Sequence, residues 1–350
     1  MSPAGISLRE WIIIHITYRD VFNAPVSLED LQKWIGKERI QVKTELDLLK
    51  ATGILETDGR DCYCLKGRSK IFSHQLAKQR LSQRSLNLHA PVLTWLKFFP
   101  FVRFIGISGS VAANNATIER VGHRKKKVDL DIFVITAPRS LWLVCLFERV
   151  MTNLLTPLLR EKYTLCFNYS MDESFLEIHN KGIYTATELY NLKPIYNFGQ
   201  TYQKLLRANE WVQSFYPELK CDFLDPRKNF KTTLTSIVSW MVTPLNILAF
   251  LFFHFGRALK NGNLKPFREM SFAFDPCIRY SLTRCSQAYG GYEGLIAENF
   301  EKRLNDRFHE LQQSVLFGFL FPNQKAIRNS QKEFNDLVEA FTKYSLPTSV

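Results

Sequence analysis

The segment Val128-Asp129-Leu130-Asp131-Ile132-Phe133-Val134-Ile135-Thr136 restricts what this chain can fold into more than any other stretch. Its apolar tail predicts a strand, and residues two apart on a strand project from the same face. Asp129 and Asp131 are therefore expected to aim at one point while Leu130 and Ile132 enter the core. Two carboxylates converging at a strand start repel each other unless a cation compensates. Oxygen-rich sites of that kind suit Mg²⁺ (or Mn²⁺) bridging nucleotide phosphates. The plainer reading is a pair of solvated acids ahead of a strand. A second apolar run, Phe101 to Ser108, leads into Gly109-Ser110 and a helical start from Val111 to Ala116. A glycine there lets the backbone approach a phosphate, and a following helix start adds free amides and a favourable dipole. Ser110 adds a hydroxyl for a triphosphate oxygen. That turn, just upstream of the acids, favours the metal-and-nucleotide reading.

The first seventy residues read as three helices and a hairpin. Leu8 to Val21 carries apolar residues on a helical period, and Asn23-Ala24-Pro25 ends it. Ser27 is a natural cap for a helix running to Trp34, with Asp30 three residues on. A third helix is expected from about Arg39 to Thr52, with Gly53 closing it. Ile54 to Thr57 and Cys62 to Leu65 flank Asp58-Gly59, a hairpin signal. The whole reads as a winged helix. Its third helix offers Lys37, Arg39, Gln41 and Lys43 to DNA, but Glu45 and Asp47 suit packing or protein contacts equally. From Lys66 to Arg84 six basic residues occur without an acid, either a phosphate-contacting segment or a solvated helix face. A separate apolar helix is expected over Val92 to Phe99.

Gly109-Ser110, a helix, and then Asp129-Leu130-Asp131 resembles the active-site signature of the DNA polymerase β-like nucleotidyltransferase superfamily. A winged helix followed by SGSVAANNA…VDLDIFVITAP is similar to bacterial nucleotidyltransferase-domain proteins. The resemblance is borne by roughly residues 101–175. It implies a mixed sheet with helices and transfer of a nucleoside monophosphate from an NTP to an acceptor. Asp129 and Asp131 would hold two metal ions, and Gly109 and Ser110 the triphosphate. Two features depart from the pattern. The segment before Asp129 is long and holds His123-Arg124-Lys125-Lys126-Lys127. Either that run grips phosphates, with Lys127 contacting nucleotide, or it is a solvated insert. The superfamily also commonly places a third carboxylate on a later strand. The expected strand, Tyr163 to Met171, contains Asn168 and no acid, so Asp172 at its end is the candidate base. Otherwise the acceptor supplies its own base, or nucleotide is bound without catalysis.

Farther along, helices are expected over Thr185 to Leu192 and Thr201 to Phe215. Leu234 to Phe255 contains no Lys, Arg, Asp or Glu and is long enough to cross a membrane. Pro244 and several polar residues interrupt it, so a buried helical hairpin or a peripheral membrane contact explains it as well. The seven cysteines have no CxxC spacing and fit reduced thiols; Met1 to Gly5 is not a basic leader. Both point to a cytoplasmic, possible membrane-associated protein. The net charge of +13 favours polyanionic partners such as nucleotides, nucleic acid or an acidic lipid surface.

The expected organisation is α+β: a winged-helix-like domain over 1–75, linking helices over 76–100, a nucleotidyltransferase-like domain over 101–230 and a mainly helical region over 231–350. The expected function is metal-dependent nucleotidyl transfer to an unknown acceptor. The alternative is a non-catalytic nucleotide-sensing regulator that binds DNA or a protein through its winged helix.

Overall fold

Serine caps open the N-terminal helices. Ser7 accepts from the Glu10 amide while Glu10 reaches back to the Ser7 amide, opening α1 (Leu8–Val21). Such a reciprocal cap satisfies two amides that a helix start leaves without partners. Ser27 caps α2 (Leu28–Ile35) by accepting from the Asp30 amide, as expected, and Gly36 closes that helix in the left-handed region. After α3 (Arg39–Ala51) the chain forms the hairpin of β2 (Leu55–Thr57) and β3 (Cys62–Leu65). A two-residue strand, β1 (Val26–Ser27), joins its far side to give the order β1-β3-β2.

The computed structural model describes residues 6–99, 101–118, 120–121, 124–125, 128, 130–158, 165–219, 241–261, 270–271, 280–281, 284–286, 290–305 and 320–321. Asp129, Lys127 and the part of Leu234–Phe255 before Met241 lie outside them. The described fold is α+β.

The linking region differs from the expectation of two helices. It is one 27-residue helix, α4 (Lys70–Leu96), which runs through Pro91. The helix persists because buried groups lie on both sides of the proline: Ser82, Ser85 and His89 before it, and Val92, Leu93 and Leu96 after it. His89 Nδ1 lies 2.7 Å from the Ser85 carbonyl, tying the turn before the proline.

Beyond α4 lies a seven-stranded mixed sheet. Its order is β10 (Met270–Ser271), β11 (Tyr280–Ser281), β12 (Arg284–Ser286), β8 (Leu165–Asp172), β7 (Leu130–Thr136), β4 (Val102–Ile107), β9 (Lys193–Asn197). A two-stranded ribbon, β5 (Arg120–Val121) with β6 (Arg124–Lys125), precedes β7. All of β4 and nearly all of β7 is buried, which suits their near-continuous apolar sequences. Strand β7 runs antiparallel to β4 and parallel to β8. β9 was not expected: Lys193-Pro194-Ile195-Tyr196-Asn197 has no alternation to read. It lies at the sheet edge, antiparallel to β4, where a proline is tolerated.

Both faces of the sheet are covered. Phe104, Phe133, Ile135 and Met171 share one core with α1–α3, α7 (Ile183–Asn191) and α8 (Thr201–Ala208). The N-terminal module is thus packed into the same core as the sheet. Ile105, Ile107, Ile132 and Val134 form the other core with the end of α4, with α6 (Leu141–Leu158) and with α9 (Thr243–Asn261). Helix α10 (Gly290–Asn305) packs on the N-terminal side, where Arg303 reaches the buried carboxylate of Asp20 at 2.7 Å.

One further expectation changes. The helix expected over Thr201 to Phe215 breaks at Asn209, followed by a 3-10 turn over Glu210–Ser214. The Asn209 side chain accepts from the Ile178 amide at 2.8 Å and donates to the Leu176 carbonyl at 2.7 Å, so it binds a neighbouring loop. Pro244 falls in the first turn of α9, where its missing N–H costs nothing; the helical arm expected before it lies outside the described residues. Among the described residues no helix is long and apolar enough to cross a membrane.

Candidate functional site

The antiparallel pairing of β4 with β7 brings the end of one strand beside the start of the other. The Ser108 amide donates to the Asp131 carbonyl at 2.9 Å, and Gly109 follows with φ +67°. A Cβ placed on Gly109 would lie 2.3 Å from Asp131 Oδ2 and 3.0 Å from its Cγ. Only glycine fits there, both for that contact and for the left-handed backbone. The two sequence signals, Gly109 and Asp131, are therefore in direct contact. Ser110 is solvent-exposed beside them, its carbonyl accepting from the Asn115 amide at 2.8 Å. The helix expected after the turn is only four residues long, α5 (Gly109–Ala112). A single turn presents amides but sums few peptide dipoles, so the expected macrodipole contribution is small.

Two charged groups that the sequence reading assigned no role complete this end of the sheet. Glu188, on α7, accepts from the Gly109 amide through Oε2 at 3.0 Å. Burial pushes its carboxyl above the ordinary carboxylate range, and the Gly109 amide opposes that shift. Lys193, the first residue of β9, pairs in register with Ile107 at the end of β4. Its Nζ donates to Asn114 Oδ1 at 2.9 Å, and burial lowers its pKa. Between them lies Ser108, whose buried hydroxyl has no hydrogen-bond partner among the described residues. The sequence places its third carboxylate at a strand end, Asp172, whereas Glu188 comes from a helix. The available signal is the single acid of a helix that buries Ile183, Ala186, Thr187 and Leu189.

Asp172 is not part of this cluster. In the parallel β7–β8 register Asp131 faces Cys166, whereas Asp172 faces Thr136, at the opposite end of the strand. Five residues at about 3.3 Å each put it roughly 16 Å along the sheet. It is fully buried, with Oδ2 accepting from the Arg139 amide and Oδ1 from the Ser174 amide, both at 2.7 Å. Burial raises its pKa, and those amides oppose the rise. Its role in this fold is to pin the turn in which Arg139 takes a left-handed φ of 63°. Asn168, the interior polar residue of β8, falls at the register shift between Phe167 and Tyr169.

Among the described residues no group of three or more His, Cys, Asp or Glu side chains is placed to hold a metal ion. Asp131 and Glu188 both reach Gly109, while Asp129, the other expected metal ligand, lies outside the described residues along with Lys127. The donors present are carboxylate and hydroxyl oxygens, which suit a hard divalent cation. The space a Cβ would fill at Gly109 is taken by the Asp131 carboxylate, so the close approach seen there is that of Asp131 to the backbone. Comparison with family models, with curated proteins and with solved structures gave no match.

Proposed function

We propose that this chain is a metal-dependent nucleotidyltransferase, moving a nucleoside monophosphate from an NTP to an acceptor, with a winged helix ahead of a nucleotidyltransferase-type sheet. The observation that carries the reading is the Gly109 contact: a left-handed glycine at one strand end, pressed on the Asp131 carboxylate and capped by a second carboxylate, Glu188. The order of α1, β1, α2, α3 and the β2–β3 hairpin supports the winged-helix part.

In this reading Asp131, with Asp129 two residues before it, holds Mg²⁺ or Mn²⁺, which when bound supplies charge stabilisation at phosphate oxygens. The Gly109 amide and the Ser110 hydroxyl donate to the triphosphate, and Lys193 adds a nearby cation. A phosphate that takes the Gly109 amide displaces the Glu188 carboxylate from it. Glu188, with its raised proton affinity, then accepts the proton of the acceptor hydroxyl. The acceptor oxygen bonds to the α-phosphorus as the bond to pyrophosphate breaks. That assigns to Glu188 the role first sought at Asp172. The test is incubation with each labelled NTP and Mg²⁺ or Mn²⁺. Wild-type protein should release pyrophosphate or label itself, and the Asp129→Asn/Asp131→Asn variant should not; equal activity in both would refute the assignment.

A second reading, a non-catalytic nucleotide-sensing regulator, is favoured by the surface of α3. Arg39 and Lys43, which a DNA reader would extend, are paired with Asp61 at 3.0 and 3.1 Å, and Lys43 also bonds the Tyr63 hydroxyl. Ile40 and Leu48 on the same helix are exposed. In the segment from Lys66 to Arg84, Arg68 bonds Asp20 and Lys78 bonds the Asn23 carbonyl, while Lys66, Lys70, Arg80 and Arg84 are exposed. This surface suits a protein partner better than a DNA groove. A gel-shift titration across salt separates the two: NTP-responsive, sequence-specific DNA binding would favour a DNA-binding regulator over a protein contact.

A further inference from the structure

The turn assigned to the triphosphate is too short to hold itself. Helix α5 has four residues, and a helix of that length is marginal without outside support. Asn114, two residues past it, takes a left-handed φ of 53°, which asparagine tolerates better than most residues. What fixes this segment comes from the N-terminal part of the molecule.

Two residues of α4, Lys78 and Ser82, lie one turn apart on the same face. Lys78 Nζ donates to Asn115 Oδ1 at 2.9 Å and to the Asn23 carbonyl at 2.6 Å. Ser82 Oγ accepts from the Ala116 amide at 3.1 Å and donates to the Lys78 carbonyl at 3.0 Å. The buried Asn115 side chain uses its other end as well, with Nδ2 donating to the Phe22 carbonyl at 3.0 Å, at the end of α1. The Asn115 amide in turn donates to the Ser110 carbonyl at 2.8 Å. A continuous path of hydrogen bonds thus runs from α1 and α4 to Ser110. Asn114, the neighbouring residue, accepts from Lys193.

The chemistry of the path shows how Lys78 acts. An ammonium has three N–H donors. Those of Lys78 face three neutral oxygens, the Asn23 and Phe22 carbonyls and Asn115 Oδ1. The group is committed to these partners and holds no donor in reserve for a ligand. Its charge, matched by dipoles alone, stands behind a turn that faces phosphate in the proposed function. A buried amide satisfied at both ends, as Asn115 is, rigidifies the chain that carries it.

We propose that Lys78 is a positioning residue for phosphate binding at the Gly109-Ser110 turn, acting through Asn115. The inference rests on the nucleotidyltransferase reading of that turn. It makes the N-terminal module a working part of the site, through α4 and the end of α1.

The test is calorimetric titration of the full chain with a non-hydrolysable NTP analogue and Mg²⁺, for wild type, Lys78→Met, Asn115→Leu and the double variant. Amide hydrogen exchange without nucleotide is measured beside it. The control is Lys43→Met, which cuts bonds to Asp61 and the Tyr63 hydroxyl in the same module and leaves Asn115 untouched. Each single variant on the path should lose about tenfold in NTP affinity, the worth of one hydrogen bond to a charged group. The double variant should lose no more than the weaker-binding single one, because both changes cut the same path. Exchange at Asn115 and Ala116 should quicken in Lys78→Met and stay at the wild-type rate in Lys43→Met, whose affinity should also match wild type.

Wild-type affinity in folded Lys78→Met would overturn the proposal and leave the lysine a packing contact. Losses that multiply in the double variant would overturn it too, since Lys78 would then act independently of Asn115. An equal loss in Lys43→Met would assign the effect to general loosening of the module. No NTP binding by wild type would refute the nucleotidyltransferase reading and this inference together, a result distinct from the other three.

Discussion

The two ends of the β7–β8 strand pair both gather acids, and the acids are held in opposite ways. At the far end Asp172 receives two backbone amides, and Glu173 meets Lys204 at 2.6 Å and the fully buried Arg103 at 3.6 Å. Those carboxylates are matched to structural partners and fix a turn and a strand. At the near end Asp131 is pressed on a bare glycine, and Glu188 rests on that glycine's amide, a bond that a phosphate displaces in the proposed function. The difference teaches that an acid at the end of a strand is not in itself a site. What separates the two ends is whether the partner is a saturated structural contact or a backbone donor open to exchange.

The largest effect belongs to the far end. Glu173→Ala removes the carboxylate beside buried Arg103, and an ion pair broken that way costs about 3–5 kcal/mol. Chemical unfolding should show that loss, while NTP affinity of the folded fraction stays unchanged. A loss of affinity without a loss of stability would erase the contrast between the ends.

Asp172→Ala comes next. It strands the Arg139 and Ser174 amides, at about 1–3 kcal/mol each. Its unfolding midpoint should fall, and its nucleotide binding should match wild type. Reduced binding at full stability would return Asp172 to the site.

A buried group at neither end sharpens the distinction between structural and exchangeable polar contacts. His15 lies among the rings of Trp11, Trp34 and Tyr216, with centroids 5.2–5.5 Å away, and burial lowers its pKa to about 3. Its unfolded value is 6.5, so on acidification the unfolded chain takes up the proton first. Stability therefore falls between pH 6.5 and about 3, by roughly 1.4 kcal/mol per pH unit, or about 2 kcal/mol by pH 5. The raised carboxyls of Asp172 and Glu188 act in the opposite sense and are common to both proteins compared. Urea melts at pH 7 and pH 5 should show that His15→Leu loses less stability on acidification than wild type. Equal losses would place the acid sensitivity elsewhere.

The last substitution is at the near end, where backbone strain adds to a clash with Asp131. Gly109→Ala forces a left-handed alanine, at about 1–2 kcal/mol, and drives its Cβ into Asp131. The protein should remain folded and lose NTP binding. Retained binding would mean that the close approach at Gly109 serves packing alone.

What the sequence disclosed follows the range of the interactions. Ser27 as a cap, Asp58-Gly59 as a hairpin turn and the apolar runs of β4 and β7 are local signals, and each appears where the residues placed it. The contact of Gly109 with Asp131 was approachable because neighbouring strands explain it. Glu188 was not, since its bond to Gly109 joins residues 79 apart through a helix. Asp172 had the right chemistry at the wrong end, and only the parallel register of β7 with β8 tells the ends apart. The edge strand β9 was hidden by Pro194 and by mostly half-exposed or exposed residues, which leave no alternation to read.

The most direct measurement is a calorimetric titration with a non-hydrolysable NTP analogue in the presence and absence of Mg²⁺, because it needs no knowledge of the acceptor. Wild type should bind in a Mg²⁺-dependent manner. Asp131→Asn should lose that dependence, and Glu188→Gln should keep the affinity, since its amide oxygen still accepts from Gly109 and yields to phosphate. Unchanged Mg²⁺-dependent affinity in Asp131→Asn would contradict the account.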